Sequence, residues 1–109
     1  MLNNLSEFYS EEGPERVGFI FPDGAIVEVE NSAANPLEGF DVCAEDLITF
    51  AERATASWHT HPGASANLSV EDNSAFLCWP KLEHFIIGND GIKKYVVGNN
   101  NRILQCAAA

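Results

Sequence analysis

The residues of this chain best suited to chemistry are two histidines two positions apart, His59 and His61, followed eleven residues later by Asp72. On a β-strand successive side chains alternate faces, so His59 and His61 point to the same side, where one metal ion can accept a nitrogen from each. Pro62 ends that strand. The seven residues from Pro62 to Leu68 form a small-residue loop that can fold back before Ser69. Asp72 then falls in the first turn of the next predicted helix, aimed at the strand end. Zinc takes imidazole nitrogen and carboxylate oxygen at similar distances of about 2.0–2.1 Å. Two histidines and one carboxylate leave a fourth tetrahedral position open, the mark of a catalytic rather than a structural zinc. Each part also has a plainer reading. A lone His-x-His can be two polar residues at a strand end. Ser69 with an acid three positions on can be a helix cap that satisfies free N–H groups. The cap and ligand readings are compatible, because a cap holds the acid still.

The elements that must carry these residues follow from pattern. Val17–Phe21 and Ala25–Val29 are short apolar runs around Pro22-Asp23-Gly24, which predicts a β-hairpin. Ala56–His61 predicts a strand, and Ser69 opens a helix through Cys78 with Pro80 as its stop. Glu83–Ile87 and Ile92–Val97 flank Gly88-Asn89-Asp90-Gly91, a second hairpin. Asn99–Asn101 turns the chain towards a last strand, Arg102–Gln105. Leu2–Tyr9 is weakly helical. Asn31–Gly39 is a loop, Phe40–Cys43 a short strand, and Ala44–Ala54 an amphipathic helix with Leu47, Ile48 and Ala51 on one stripe. Helices, strands and hairpins intermix, so the expected fold is α+β around a mixed sheet, in one domain over residues 1–109.

Composition narrows the function classes. The 109 residues are 46% apolar and 20% charged, in the range of a globular protein. The formal net charge is −10, from 16 acidic and 6 basic residues, and Lys93-Lys94 is the one adjacent basic pair. A nucleic-acid binder needs clustered Lys and Arg, and an anionic membrane surface attracts the same residues. Both partners are therefore argued against. The acidity fits a basic protein partner or plain solubility. Cys43, Cys78 and Cys106 are odd in number and show no CxxC spacing, which predicts three reduced thiols, at least two of them buried. No apolar run reaches the length of a membrane span, and the N-terminus lacks a signal-peptide pattern. A cytoplasmic chain is expected. His84 is read as a polar surface or strand-end residue rather than a fourth ligand, and Trp58 and Trp79 as core or site-wall aromatics. Lys93 and Lys94 are read as solvent-facing.

Taken together, His59-Thr60-His61-Pro62 and, after seven residues, Ser69-x-x-Asp72 resemble the JAMM (MPN+, JAB1/Mov34) metalloprotease motif, H-[S/T]-H-x7-S-x-x-D. Every fixed position is present at the family's spacing. The family's upstream glutamate has a counterpart in Pro14-Glu15-Arg16-Val17-Gly18, where Glu15 lies 44 residues before His59. The resemblance runs from about Glu15 to Val97. It implies a curved mixed sheet with flanking helices, in the layering of MPN and cytidine-deaminase-like domains. It also implies Zn2+ on His59, His61 and Asp72, Glu15 as the general acid/base, and Ser69 as a hydrogen-bonding group for the oxyanion or the attacking water. Glu11, Glu12, Glu28 and Glu30 are neighbouring acids. Glu15 is preferred because it opens a strand with Gly18 at the family's offset. The implied activity is hydrolysis of a peptide or isopeptide bond, with a protein or peptide as substrate. The prokaryotic and phage branches are the closer comparison, since the longer insertions that clamp a ubiquitin-like partner are missing. Their settings are phage tail assembly, in the host cytoplasm for a phage-encoded chain, and the processing of small ubiquitin-like or sulfur-carrier proteins. The alternative is a non-catalytic assembly subunit that keeps zinc in an MPN-like docking domain.

Overall fold

A computed structural model describes residues 5–31, 50 and 52–106. The described residues form one six-stranded sheet and one α-helix. The strands are β1 (Val17–Ile20), β2 (Ile26–Val29), β3 (Ala56–Thr60), β4 (Glu83–Gly88), β5 (Gly91–Val97) and β6 (Ile103–Cys106). Helix α1 (Val70–Cys78) lies between β3 and β4 in sequence. The sheet order is β2-β1-β3-β4-β5-β6. Only β3 and β4 pair in parallel, and α1 makes the crossover between them, as a parallel pair requires. The expected α+β class and mixed sheet stand. Each described strand and α1 start and stop within one residue of the sequence expectation. The expected strand Phe40–Cys43 lies outside the described residues. So do the Asn31–Gly39 loop beyond Asn31 and the Ala44–Ala54 helix apart from Phe50 and residues 52–54. In the described part of Leu2–Tyr9, Leu5 is α-helical and a 3-10 turn follows at Ser6–Phe8.

Central strands β1 and β3 are buried along their whole length, and β4 from its second residue on. A strand covered on both faces reads as a near-continuous apolar run, which is how VGFI and FII appear in sequence. On one face Ile20, Ala56, Trp58, Phe85 and Ile87 pack under Leu5, Phe8 and Tyr9. The Phe8 and Trp58 rings lie 4.4 Å apart. Gly18 makes that face possible: a Cβ there would fall 2.0 Å from the Val27 carbonyl oxygen and 2.7 Å from the Trp58 ring. Trp58 is thus a core residue, and its indole N–H is a buried donor with no partner among the described residues.

The other face is covered by α1. Phe76 is 1% exposed and packs with Ala66, Ile86 and Tyr95. Removing such a ring costs about 3–5 kcal/mol. Beside it, Phe19 meets Trp79 and Phe50. His84 also sits here, near the start of β4 as expected but 0% exposed, which corrects its reading as a surface residue. Its Nε2 donates to the Trp79 carbonyl at 3.0 Å, its Nδ1 accepts from the Ser57 hydroxyl, and its ring stacks on Phe76 at 4.1 Å. Both nitrogens are satisfied, so the neutral ring can be buried.

The expectation of at least two buried thiols is also corrected. Cys78 is exposed on α1 and Cys106 is half-buried on edge strand β6, while Cys43 lies outside the described residues. A position near a helix end or on an outer strand lacks a second layer to cover it. Lys93 and Lys94 are half-buried rather than free in solvent, paired with Asp90 and Glu83 at 3.3 and 3.5 Å. No helix among the described residues is long and apolar enough to cross a membrane.

Candidate metal centre

Alternation on β3 puts Ala56, Trp58 and Thr60 on the N-terminal-segment face, and Ser57 and His59 on the α1 face. His61 follows immediately, still in the ladder through its N–H to the Ile87 carbonyl at 2.8 Å. The two imidazoles therefore converge, Nε2 to Nε2, at 3.2 Å. Helix α1 starts opposite this strand end. Ser69 is its N-cap: Ser69 Oγ accepts from the Asp72 N–H at 3.1 Å, and Asp72 Oδ2 accepts from the Ser69 N–H at 3.1 Å. This reciprocal capping box satisfies two helix N–H groups and freezes the Asp72 carboxylate. Asp72 Oδ1 is 2.8 Å from His59 Nε2, and Oδ2 is 3.0 Å from His61 Nε2.

Those three separations fit a shared ion. Ligands at about 2.0–2.1 Å in a tetrahedron lie about 3.3 Å apart, which the 3.2 Å between the two imidazole nitrogens matches, and Asp72 offers one oxygen to each of them. The protonation pattern agrees. Burial pushes His59 below its ordinary value despite its bond to Asp72. Burial also lowers His61, but the bonds to Asp72 and to the Ser65 carbonyl outweigh it and the net direction is up. Burial raises Asp72, yet the two imidazole bonds win and hold it well below the usual carboxylate range. A compact nest of one anion and two imidazoles sharing protons is what a divalent cation would fill, since the ligating histidines must shed the protons that face it. The His61 ring is oriented from behind, because Nδ1 donates to the Ser65 carbonyl at 2.8 Å and leaves Nε2 for the site.

Glu15 joins from the segment that leads into β1. Ligand atoms of Glu15, His59 and His61 all lie within 4.8 Å of one another. Two carboxylates thus compete for the third position. Asp72 has the stronger claim, being within hydrogen-bond distance of both imidazoles and fixed by the cap. Burial pushes the Glu15 carboxyl up to about 7, with His61 opposing and Asp72 and Glu71 adding to the rise. The device that brings Glu15 here is Thr60. Its Oγ1 accepts from the Arg16 N–H at 2.9 Å and its N–H donates to the Arg16 carbonyl at 2.9 Å. Asn31 Nδ2 adds a bond to the Glu15 carbonyl at 2.8 Å. The middle residue of His-Thr-His therefore has its own task, which calls for a hydroxyl.

The rival acids are engaged elsewhere. Glu28 takes the Arg16 guanidinium on both oxygens, at 2.6 and 2.7 Å. Glu11 accepts from the Tyr9 hydroxyl at 2.9 Å, and Glu12 and Glu30 are exposed. All five residues singled out in the sequence, Glu15, His59, His61, Ser69 and Asp72, thus meet at the end of β3 and the start of α1. Ligand sites in α/β units favour this position, outside the carboxyl ends of strands.

Sequence reasoning missed what holds the Pro62–Leu68 loop. Gly88 lies beneath it, where a Cβ would stand 2.3 Å from the Ala66 nitrogen. The Asn89 N–H donates to the Ala64 carbonyl at 2.7 Å, and the Tyr95 hydroxyl to the Ala66 carbonyl at 2.9 Å. The one available signal was Gly88 itself, a glycine at the strand end that the turn alone did not require.

Comparison with known proteins adds fold but no family. No family model and no curated protein matches the chain. Among solved structures, the chain is similar to the solution structure of protein DSY2949 from Desulfitobacterium hafniense, with a TM-score of 0.71 and 18% identity. The match covers 95% of this chain and 84% of that one. At that identity the likeness concerns the fold alone.

Proposed function

We propose that this chain is a zinc-dependent metallopeptidase of the JAMM type that hydrolyses a peptide or isopeptide bond. The observation that carries the reading is the convergence of His59 Nε2, His61 Nε2 and the Asp72 carboxylate at 2.8–3.2 Å, with Glu15 beside them. On this reading His59, His61 and Asp72 hold Zn2+. Bound there, the ion would lower the pKa of a coordinated water to about 7 and polarise the scissile carbonyl.

The protein's own groups do the rest. Glu15, with its carboxyl near 7, takes the proton of the attacking water and returns it to the leaving nitrogen as the C–N bond breaks. A carboxyl poised near the working pH serves both directions of that transfer. The Ser69 hydroxyl accepts from the Asp72 N–H through its oxygen, which leaves its own hydrogen to donate to the carbonyl oxygen as negative charge develops there. The substrate is an extended protein tail, of a ubiquitin-like, sulfur-carrier or phage tail protein, in the cytoplasm. The finer MPN-like layering of the fold belongs to the same reading.

The test is hydrolysis of quenched-fluorescent peptide and isopeptide panels by protein stripped with chelator and then reloaded. The reading expects activity that follows zinc content and disappears in His59→Ala. Cleavage that survives either treatment would overturn it.

A further inference from the structure

We infer that Asp90, on the β4–β5 hairpin, is a positioning residue that orients and strengthens His61 as a metal ligand through the Ser65–Ala66 peptide group. The inference rests on the metal reading above. It concerns a residue outside the motif that reaches the centre through one shared amide.

The connection is a single chain of hydrogen bonds. The Ser65 carbonyl accepts from His61 Nδ1 at 2.8 Å. The nitrogen of that same peptide bond, on Ala66, donates to Asp90 Oδ1 at 2.8 Å. A carboxylate accepting from an amide N–H polarises the amide and makes its carbonyl oxygen a stronger acceptor. The stronger acceptor pulls on the His61 Nδ1–H, fixes the tautomer and raises electron density at Nε2. Histidine ligands commonly gain this support from a carboxylate bonded to them directly. Here a peptide plane is interposed between the two.

The surroundings show that this plane is held in place. The next carbonyl, of Ala66, accepts from Tyr95, and Ala66 is itself 0% exposed. Gly88 leaves room for the loop to lie this close to β4. Lys93 bridges Asp90 at 3.3 Å and Asn67 at 2.6 Å, which restrains the carboxylate from the outer side. Asp90 itself is exposed, so its replacement removes no core packing.

The test compares wild type, Asp90→Ala, Asp90→Asn and, as a charge control away from the loop, Glu83→Gln. Zinc affinity is read by chelator competition, the His61 Nδ1–H resonance by nitrogen-15 NMR of the metal-free protein, and folding by thermal melting. The expected result is zinc binding weakened about tenfold or more in Asp90→Ala, in the range for lost partners of ligating histidines. The His61 resonance moves with it; the melting temperature falls by several degrees because the buried Ala66 N–H loses its acceptor, but the protein stays folded at the assay temperature. Asp90→Asn, which keeps an acceptor oxygen but not the charge, falls between Asp90→Ala and wild type, and Glu83→Gln stays within about twofold of wild type. If wild type binds zinc and Asp90→Ala binds it equally well, the role of Asp90 is overturned and the metal site survives. Weaker binding with an unmoved His61 resonance also overturns it, because the effect would not run through that ring. If wild type binds no zinc at all, the metal reading fails and this inference with it.

Discussion

Acidifying the metal-free protein should charge His84 at a cost that can be worked out in advance. His84 is 0% exposed, spends both ring nitrogens on Ser57 and Trp79, and stacks on Phe76. Burial pushes its pKa from 6.5 down to about 4, His59 adds to the drop, and the bond to Trp79 opposes it. A group whose folded pKa is depressed contributes stability above its unfolded pKa and loses it as pH falls towards the folded value. The whole gap, at about 1.4 kcal/mol per pH unit, is worth about 3 kcal/mol. Between pH 7.5 and 4.5 the part lost is about 2.5 kcal/mol. Urea unfolding of chelator-treated wild type and His84→Gln over that range measures it. The variant carries a constant penalty for disturbed hydrogen bonds but lacks the slope, so the wild-type advantage should shrink by about 2.5 kcal/mol on acidification. Titration of His59 also opposes acid stability; it occurs in both proteins, so the difference between the curves reports His84 together with its coupling to His59. Parallel curves would refute the reasoning, because His84 would then titrate as though it were in water.

Glu15→Gln should lower turnover by about 100-fold or more, the usual contribution of a positioned acid/base, while zinc content stays at the wild-type level. Full activity in that variant would remove Glu15 from the mechanism, and zinc loss would make it a ligand instead. Ser69→Ala takes away the N-cap of α1 and should cost about 1 kcal/mol in denaturant unfolding, with weaker zinc binding because Asp72 is no longer braced. Unchanged stability would contradict the capping-box account. Gly88→Ala places a methyl group against the Ala66 nitrogen, so overpacking of about 1–3 kcal/mol and a loosened metal loop are expected. Wild-type melting and wild-type zinc affinity together would show that the loop is not held there.

Much of the site could be read because its determinants are local. Alternation on a strand placed His59 beside His61, and Ser69 with Asp72 spelled a helix start whose acid faces the strand end. The hairpin turns were equally plain, since Gly24 and Gly91 occupy the positive-φ positions that turns demand. What stayed hidden depends on long-range register. His84 reads as a polar residue at a strand start until the parallel pairing sets it beside Ser57 and under Phe76. Thr60 reads as a tolerated variant until its hydroxyl is found gripping Arg16, 44 residues away. Asp90 reads as a turn residue, and nothing in its neighbours reveals that Ala66 donates to it across 24 residues. The thiols were misjudged for a related reason. Cysteine is a small apolar residue by type, but burial depends on a covering layer that local sequence does not specify.

The central claim is that His59, His61 and Asp72 together hold one zinc ion. Metal analysis of purified, extensively dialysed protein tests it most directly, on wild type and on His59→Ala, His61→Ala and Asp72→Ala, each verified as folded by circular dichroism. The account predicts about one zinc per wild-type chain and almost none in any of the three variants. A folded wild-type chain that retains no zinc, or a variant that keeps the full complement, would contradict it.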